Sequence, residues 1–217
     1  MGQVNELKDF TRGQLDAALM KIGQDIGMET ADGIRAFLAG KLVVSKPVRN
    51  WREENGVIYL SVTSNGMSGE QWIEHLEKLG FGLSDYTKSV LRSLDFKPTK
   101  GVTYEIAILK DMLFGDNDRI TSNIRDLATR RKLIKPNAEV ACLIRENFSD
   151  EDIEAMGLWG IVTMHEPIKD SDGVPFLLYS YRGGGGRWLG ACYVRPSCGW
   201  RRVFGFAFVV PQVSSQN

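Results

Sequence analysis

Residues 179–204 read YSYRGGGGRWLGACYVRPSCGWRRVF, and their composition departs from the rest of the chain. This window contains no Lys, Glu, Met or Gln. Residues 1–178 hold 12 Lys, 13 Glu, 7 Met and 4 Gln, 36 in all or about one in five, so a window of 26 residues should contain about five. Codons ending in a pyrimidine encode none of these four residues, nor Trp. Trp188 and Trp200 alone break that rule, as fixed residues would inside a segment randomised at its first two codon positions. The same window shows no helical period. Glycines, aromatics and Pro196 alternate in a way that predicts strands joined by loops.

Working outward, the strand texture begins at Gly157. Leu158 to Met164 reads as a buried strand, Asp170-Ser171-Asp172-Gly173 as a turn, and Val174 to Tyr179 as a second strand. Gly205 to Val210 reads as a final strand with few polar side chains. Upstream the pattern is mostly helical. Residues 5–23 carry Leu7, Phe10, Leu15, Leu19 and Ile22 near helical spacing, and Thr30 is placed to cap a second helix through Phe37 and Leu38. Ser68 with Gln71 forms a capping box for a helix through Lys78, with Gly80 following. Ser84 caps another, to about Leu94. Over 103–114, Tyr104, Ile106 and Ile108 alternate as in a strand, but Ile106, Leu109 and Leu113, with Gly115 after them, fit a helix better. Further helices are expected near 118–132, 137–147 and 150–156. Val57 to Val62, between Asn55-Gly56 and Asn65-Gly66, is the one clear early strand. There is no internal repeat. The expected class is α+β, with a helical N-terminal region at 1–156 and a C-terminal region of short strands and long loops at 157–217.

Composition narrows the function. With 217 residues, 43% hydrophobic and 25% charged, the chain has the profile of an ordinary globular protein with enough length for a core. No apolar run approaches the roughly 20 residues of a bilayer span. The start, MGQVNELKDF, lacks a basic region followed by an apolar stretch, so a cytoplasmic location is expected, with no membrane partner. Three cysteines are too few for a disulfide scaffold. The net charge of zero conceals a split. Residues 1–178 carry 22 Lys+Arg against all 27 acids, or −5, and residues 179–217 carry five arginines and no acid, or +5. Such a tail suits an acidic partner or nucleic acid.

No residue cluster spells out a catalytic site. His165-Glu166 lacks a second histidine at zinc-protease spacing, so a structural histidine is the better reading. Cys142 lies in an apolar stretch and reads as core. Cys192 and Cys198 do not form a CxxC pair, and Asp170 to Gly173 lacks the later glutamate of a calcium loop. Gly183 to Gly186 is not followed by Gly-Lys-Ser/Thr or by a helix, which predicts a flexible loop between strands rather than a phosphate cradle. Arg125, Arg130, Arg131 and Lys132 are diluted by Asp118, Asp126 and Glu139. No catalytic residue, metal or cofactor is expected.

Gly185-Gly186-Arg187-Trp188, then Trp200, then Gly205-Phe206 opening a terminal apolar strand, resembles the variable region of diversity-generating retroelement target proteins. In that family a reverse transcriptase copies a template with errors at adenines, and the altered codons are read out on a C-type-lectin fold. The family commonly has Gly-Phe-Arg where this chain has Gly205-Phe206-Ala207. The resemblance covers about the last 60 residues. It implies a C-terminal C-type-lectin-like domain with Trp188, Trp200, Gly205 and Phe206 as scaffold. The implied function is non-catalytic recognition of a protein or surface ligand. The expected patch is Tyr179, Tyr181, Arg182, Ala191, Tyr193, Val194, Arg195, Ser197, Arg201, Arg202, Val203 and Phe204. Trp188, Trp200, Phe206 and Phe208 should be buried, and Tyr181, Tyr193, Arg195, Arg201 and Phe204 should share one exposed face. Tyr and Arg at such positions suit binding hot spots. The alternative is a nucleic-acid-binding accessory protein whose five late arginines track phosphates.

Overall fold

The computed structural model describes residues 49–212 except 171 and 184, and of the first 48 only residues 11, 13 and 39. The helices expected over 5–23 and from Thr30 to Leu38 therefore lie outside the described residues. From residue 49 the chain belongs to one compact unit, a mixed α+β fold of five helices and a nine-stranded sheet among the described residues.

Strand β1 (Trp51–Glu54) turns through Asn55-Gly56 into β2 (Val57–Asn65). Both turn residues have positive φ, 50° and 76°, the geometry that a tight hairpin needs and that this dipeptide tolerates. Helix α1 (Gly69–Lys78) begins at the expected box: the Ser68 side chain accepts from the Gln71 N–H, and the Gln71 side chain accepts from the Ser68 N–H. A two-residue strand, β3 (Gly82–Leu83), leads to α2 (Asp85–Arg92), capped by Ser84. Residues 100–109, partly expected to be helical, form strand β4 (Lys100–Leu109) instead. Ile106 and Ile108 enter the core on one face, and Ala107 and Leu109 enter the core on the other. A strand buried on both faces loses its alternation, so its apolar run imitates a helix.

Helices α3 (Thr121–Arg130), α4 (Glu139–Asn147) and α5 (Asp150–Ala155) follow. Then come β5 (Gly160–Thr163), β6 (Ile168–Lys169), β7 (Pro175–Gly183), β8 (Gly186–Tyr193) and β9 (Phe204–Val209). The sheet runs β1-β2-β4-β9-β5-β7-β8-β3, with β6 on β7. Pairs β5/β9 and β3/β8 are parallel and the others antiparallel. The last strand thus lies mid-sheet, between β4 and β5, so strands from both sides of Gly157 pair directly. One sheet face is covered by α1, α2, α4 and α5, around Trp72, Leu76, Val90, Leu143 and Ile153. The other is covered, among the described residues, by α3 through Ile124 and Ala128, with Leu113 and Phe114 beside it.

Candidate ligand-binding surface

Alternation along β7 and β8 sorts the segment onto the two faces. Tyr179 pairs with Gly190, Tyr181 with Trp188, and Phe176 with Tyr193. Leu177, Tyr179 and Cys192 therefore join the α3-side core, while Phe176, Leu178 and Ala191 pack toward the four helices.

On the α3 side the aromatic side chains form a continuous row. Tyr179 and Tyr181 stack with ring centroids 4.7 Å apart, and Trp188 stacks on Tyr181 at 6.3 Å. Trp159 touches Tyr181 at 4.9 Å and meets Phe204 edge-on at 5.4 Å. Trp200 meets Phe204 at 5.9 Å and Phe206 at 5.7 Å, both edge-on. These are the offset and T-shaped arrangements that aromatic quadrupoles favour. Glycines make the row possible by closeness rather than flexibility. A Cβ at Gly190 would lie 2.6 Å from the Tyr179 ring and 2.8 Å from the Tyr181 ring. Gly82 and Gly183 flank the Trp188 ring in the same way, at 2.3 and 2.6 Å. Burial raises the Tyr179 hydroxyl above the usual tyrosine range, with Tyr181 adding to the shift, and pushes the Cys192 thiol up to about 12. Neither group supplies an anion near neutral pH.

The chain then crosses from β8 to β9 through residues 194–203, and this loop is held by its backbone. Ile120, at the N-cap of α3, offers no side-chain cap. Instead the first N–H groups of the helix, at Thr121 and Ser122, donate to the carbonyls of Cys198 and Pro196. A helix start leaves such donors unsatisfied unless something caps them. Trp200 locks the far side. Its N–H donates to the Arg119 carbonyl, and its Nε1 donates to Thr121 Oγ1 at 3.0 Å. Trp159 N–H donates to the Val203 carbonyl, which fixes the exit toward β9. With the main chain pinned, Arg195, Ser197, Arg201, Arg202 and Val203 are all exposed.

The expected patch divides accordingly. Those five residues and Tyr193 are exposed, and Tyr179, Tyr181 and Phe204 are half-buried in the aromatic row. Val194 is 2% exposed and belongs to the α3-side core. Ala191 packs against the helix layer. Arg182 reaches Glu154 on α5 at 3.0 Å, and Arg202 pairs with Asp116. Phe206 and Phe208 are buried as expected, but Trp188 and Trp200 are half-buried rather than buried, because each lies where the row meets water. The single shared face is also corrected: cross-strand pairing places Tyr193 beside Phe176, on the face opposite Tyr181. Trp159 was not expected in the row; it stands 20 residues before Tyr179, and only the β5–β7 pairing unites them.

The other side chains singled out in the sequence have structural partners. His165 is buried, its Nδ1–H donates to the Glu166 carbonyl at 2.7 Å, and its Nε2 accepts the Leu178 N–H at 2.9 Å. Both nitrogens are thus committed to the neutral ring, and burial lowers its pKa to about 4. Asp170 Oδ1 accepts from the Asp172 and Val174 N–H groups, making the expected turn. Cys142 is a core residue, and burial raises its thiol. Among the described residues no group of three His, Cys, Asp or Glu side chains is placed to hold a metal ion, and no helix is long and apolar enough to cross a membrane. Comparison with known protein families, with curated proteins and with solved structures gives no match.

Proposed function

We propose that this chain is a non-catalytic recognition protein, the variable protein of a diversity-generating retroelement. On this reading its C-terminal part is a C-type-lectin-like domain that displays diversified side chains to a protein or surface ligand in the cytoplasm. One observation supports the reading above the others. Apart from buried Val194 and the Arg202–Asp116 pair, the loop at 194–203 is held by main-chain groups and by Trp200, while Arg195, Ser197, Arg201 and Val203 face water. Main-chain hydrogen bonds do not depend on which side chain a residue carries, so such a loop accepts substitution without refolding. An aromatic row behind it adds rigid contact area at small entropic cost.

Sequencing codons 179–204 across a population of cells carrying the gene tests this. Differences should concentrate at the exposed loop codons and at the row positions Tyr179, Tyr181 and Phe204. Trp188, Trp200 and Gly205 codons should stay constant, and Arg195, Arg201 and Arg202 should use codons ending in C or T. Equal variation at the tryptophan and loop codons, or purine-ending arginine codons, would remove the reading.

A further inference from the structure

A second aromatic surface lies on the four-helix face, where β7 and β8 meet the start of α2. Tyr86 of α2 is 58% exposed, and Tyr193 at the end of β8 is 49% exposed. Tyr86 rests on Phe176, a buried ring, and Tyr193 lies across the β7–β8 ladder from it. The Tyr86 and Phe176 rings stack at 5.2 Å with the planes 23° apart. The Arg195 guanidinium lies 5.9 Å from the Tyr193 ring centroid. It shares a cleft with Arg125, Asp126 and Glu166, and Glu166 is taken up by Lys135 and Arg125. Arg182 has Glu154, Arg202 has Asp116, and Arg187 bonds the Leu79 carbonyl while lying over Phe81. Arg195 has no carboxylate within ion-pair distance among the described residues, and no acid occurs in the chain after Asp172.

Two exposed tyrosines, one stacked on a buried ring and the other beside an arginine without an ion-pair partner among the described residues, have the composition of a recognition hot spot. The stacked Tyr86 ring loses little rotamer freedom on binding, and the exposed Arg195 guanidinium already lies within cation–π range of the Tyr193 ring. We infer that Tyr86, Phe176, Tyr193 and Arg195 form a docking surface for an acidic segment of a partner protein, one whose carboxylate meets Arg195 while an apolar neighbour covers the tyrosines. Charge complementarity selects the acid, and the exposed ring area selects a protein over a bare anion. The surface rests on the recognition reading above only in that Tyr193 and Arg195 belong to the diversified segment. Tyr86 and Phe176 lie outside that segment and give the surface its constant contacts.

A phage-displayed library of short random peptides, selected on the full chain, tests the surface. Selected peptides should be enriched in Asp or Glu next to an aromatic or aliphatic residue. Tyr86→Ala should weaken them at least about tenfold without lowering the melting temperature appreciably, as expected for an exposed hot-spot side chain. Arg195→Glu should abolish their binding, and selection on that variant should yield Lys- or Arg-bearing peptides. Failure to select peptides, absence of acidic enrichment, or binding indifferent to Tyr86→Ala overturns the surface. So does a single-stranded RNA of random sequence that displaces the peptides and is weakened by the same variants. Peptides lost on Arg201→Ala with Val203→Ala but kept on Tyr86→Ala overturn this surface and leave the loop reading standing, which the codon census addresses separately.

Discussion

The two faces of the sheet are stabilised by different parts of the chain. On the four-helix side, side chains carry the architecture. Ser68 with Gln71 and Ser149 with Asp152 cap their helices, and the buried Arg145 ties α4 to α5 and β7. On the α3 side the equivalent bonds come from loop backbone: carbonyls of Pro196 and Cys198 cap the helix that covers the face. A region held by named side chains constrains its sequence, whereas one held by carbonyls leaves its side chains open to change. That contrast separates side chains fixed by packing from side chains open to change, and it can be attacked from either side.

The largest effect is expected at Arg145. It is fully buried, with Nη1 2.9 Å from Asp150 and 3.3 Å from the Tyr181 carbonyl, and Nη2 2.6 Å from the Phe148 carbonyl. Arg145→Ala leaves these acceptors unpaired and opens a cavity, so a loss of about 3–5 kcal/mol is expected in urea denaturation. A loss below about 1 kcal/mol would mean that side-chain ties do not govern this face. Trp200→Ala comes next on the opposite face, at about 3 kcal/mol, toward the low end for large aromatic truncations since part of the ring already meets water. Trp200, with buried Val194 and the Arg202–Asp116 pair, departs from the contrast as a side chain anchoring the backbone-held loop.

Acid should act through His165. Its pKa falls from an ordinary 6.5 to about 4 on folding, so the unfolded chain binds the proton more readily. The stabilisation is complete above about pH 6.5 and is lost as pH falls toward 4, by about 3 kcal/mol at most. Protonation would set a second N–H against the Leu178 N–H that Nε2 now accepts. Urea midpoints measured across that interval should decline in the native chain and decline less in His165→Gln.

Gly190→Ala probes the row itself. The added methyl would meet the Tyr179 and Tyr181 rings at 2.6 and 2.8 Å, so the rings must shift, at about 1–3 kcal/mol. Near-ultraviolet circular dichroism, which reports on the coupled tyrosines, should change more than the far-ultraviolet signal.

Much of the four-helix side was legible in the sequence because local signals define it. Ser68-x-x-Gln71, Ser84 and the Asn55-Gly56 turn each specify a boundary within a few residues, and each structure formed there. The strand at 100–109 was misread as partly helical because burial on both faces erased its period. The site was legible only as composition. Residues 179–204 stood out as unlike the rest, yet nothing local showed that Trp159 would join them, that Val194 would turn inward, or that Tyr193 would face away from Tyr181. Those outcomes depend on register and strand order, which are fixed by pairings between distant residues.

The smallest expected effect bears hardest on the contrast. Arg195, Ser197, Arg201 and Val203 are exposed and contribute no side-chain hydrogen bond or ion pair seen among the described residues. The loop bonds at Pro196, Cys198, Trp200 and Val203 use main-chain atoms and the Trp200 indole alone. Replacing all four residues by Ala therefore removes water-facing atoms and keeps every tie to α3. Exposed substitutions of this kind change stability by about 0.5 kcal/mol or less each, and Arg195 adds only its contact with the exposed Tyr193 ring. The quadruple variant should unfold within about 2 kcal/mol of the native chain and keep its near-ultraviolet spectrum, while Trp200→Ala alone loses more. If the quadruple variant proved the less stable of the two, these side chains would belong to the framework. The loop would then be part of what holds α3 in place and could not vary freely.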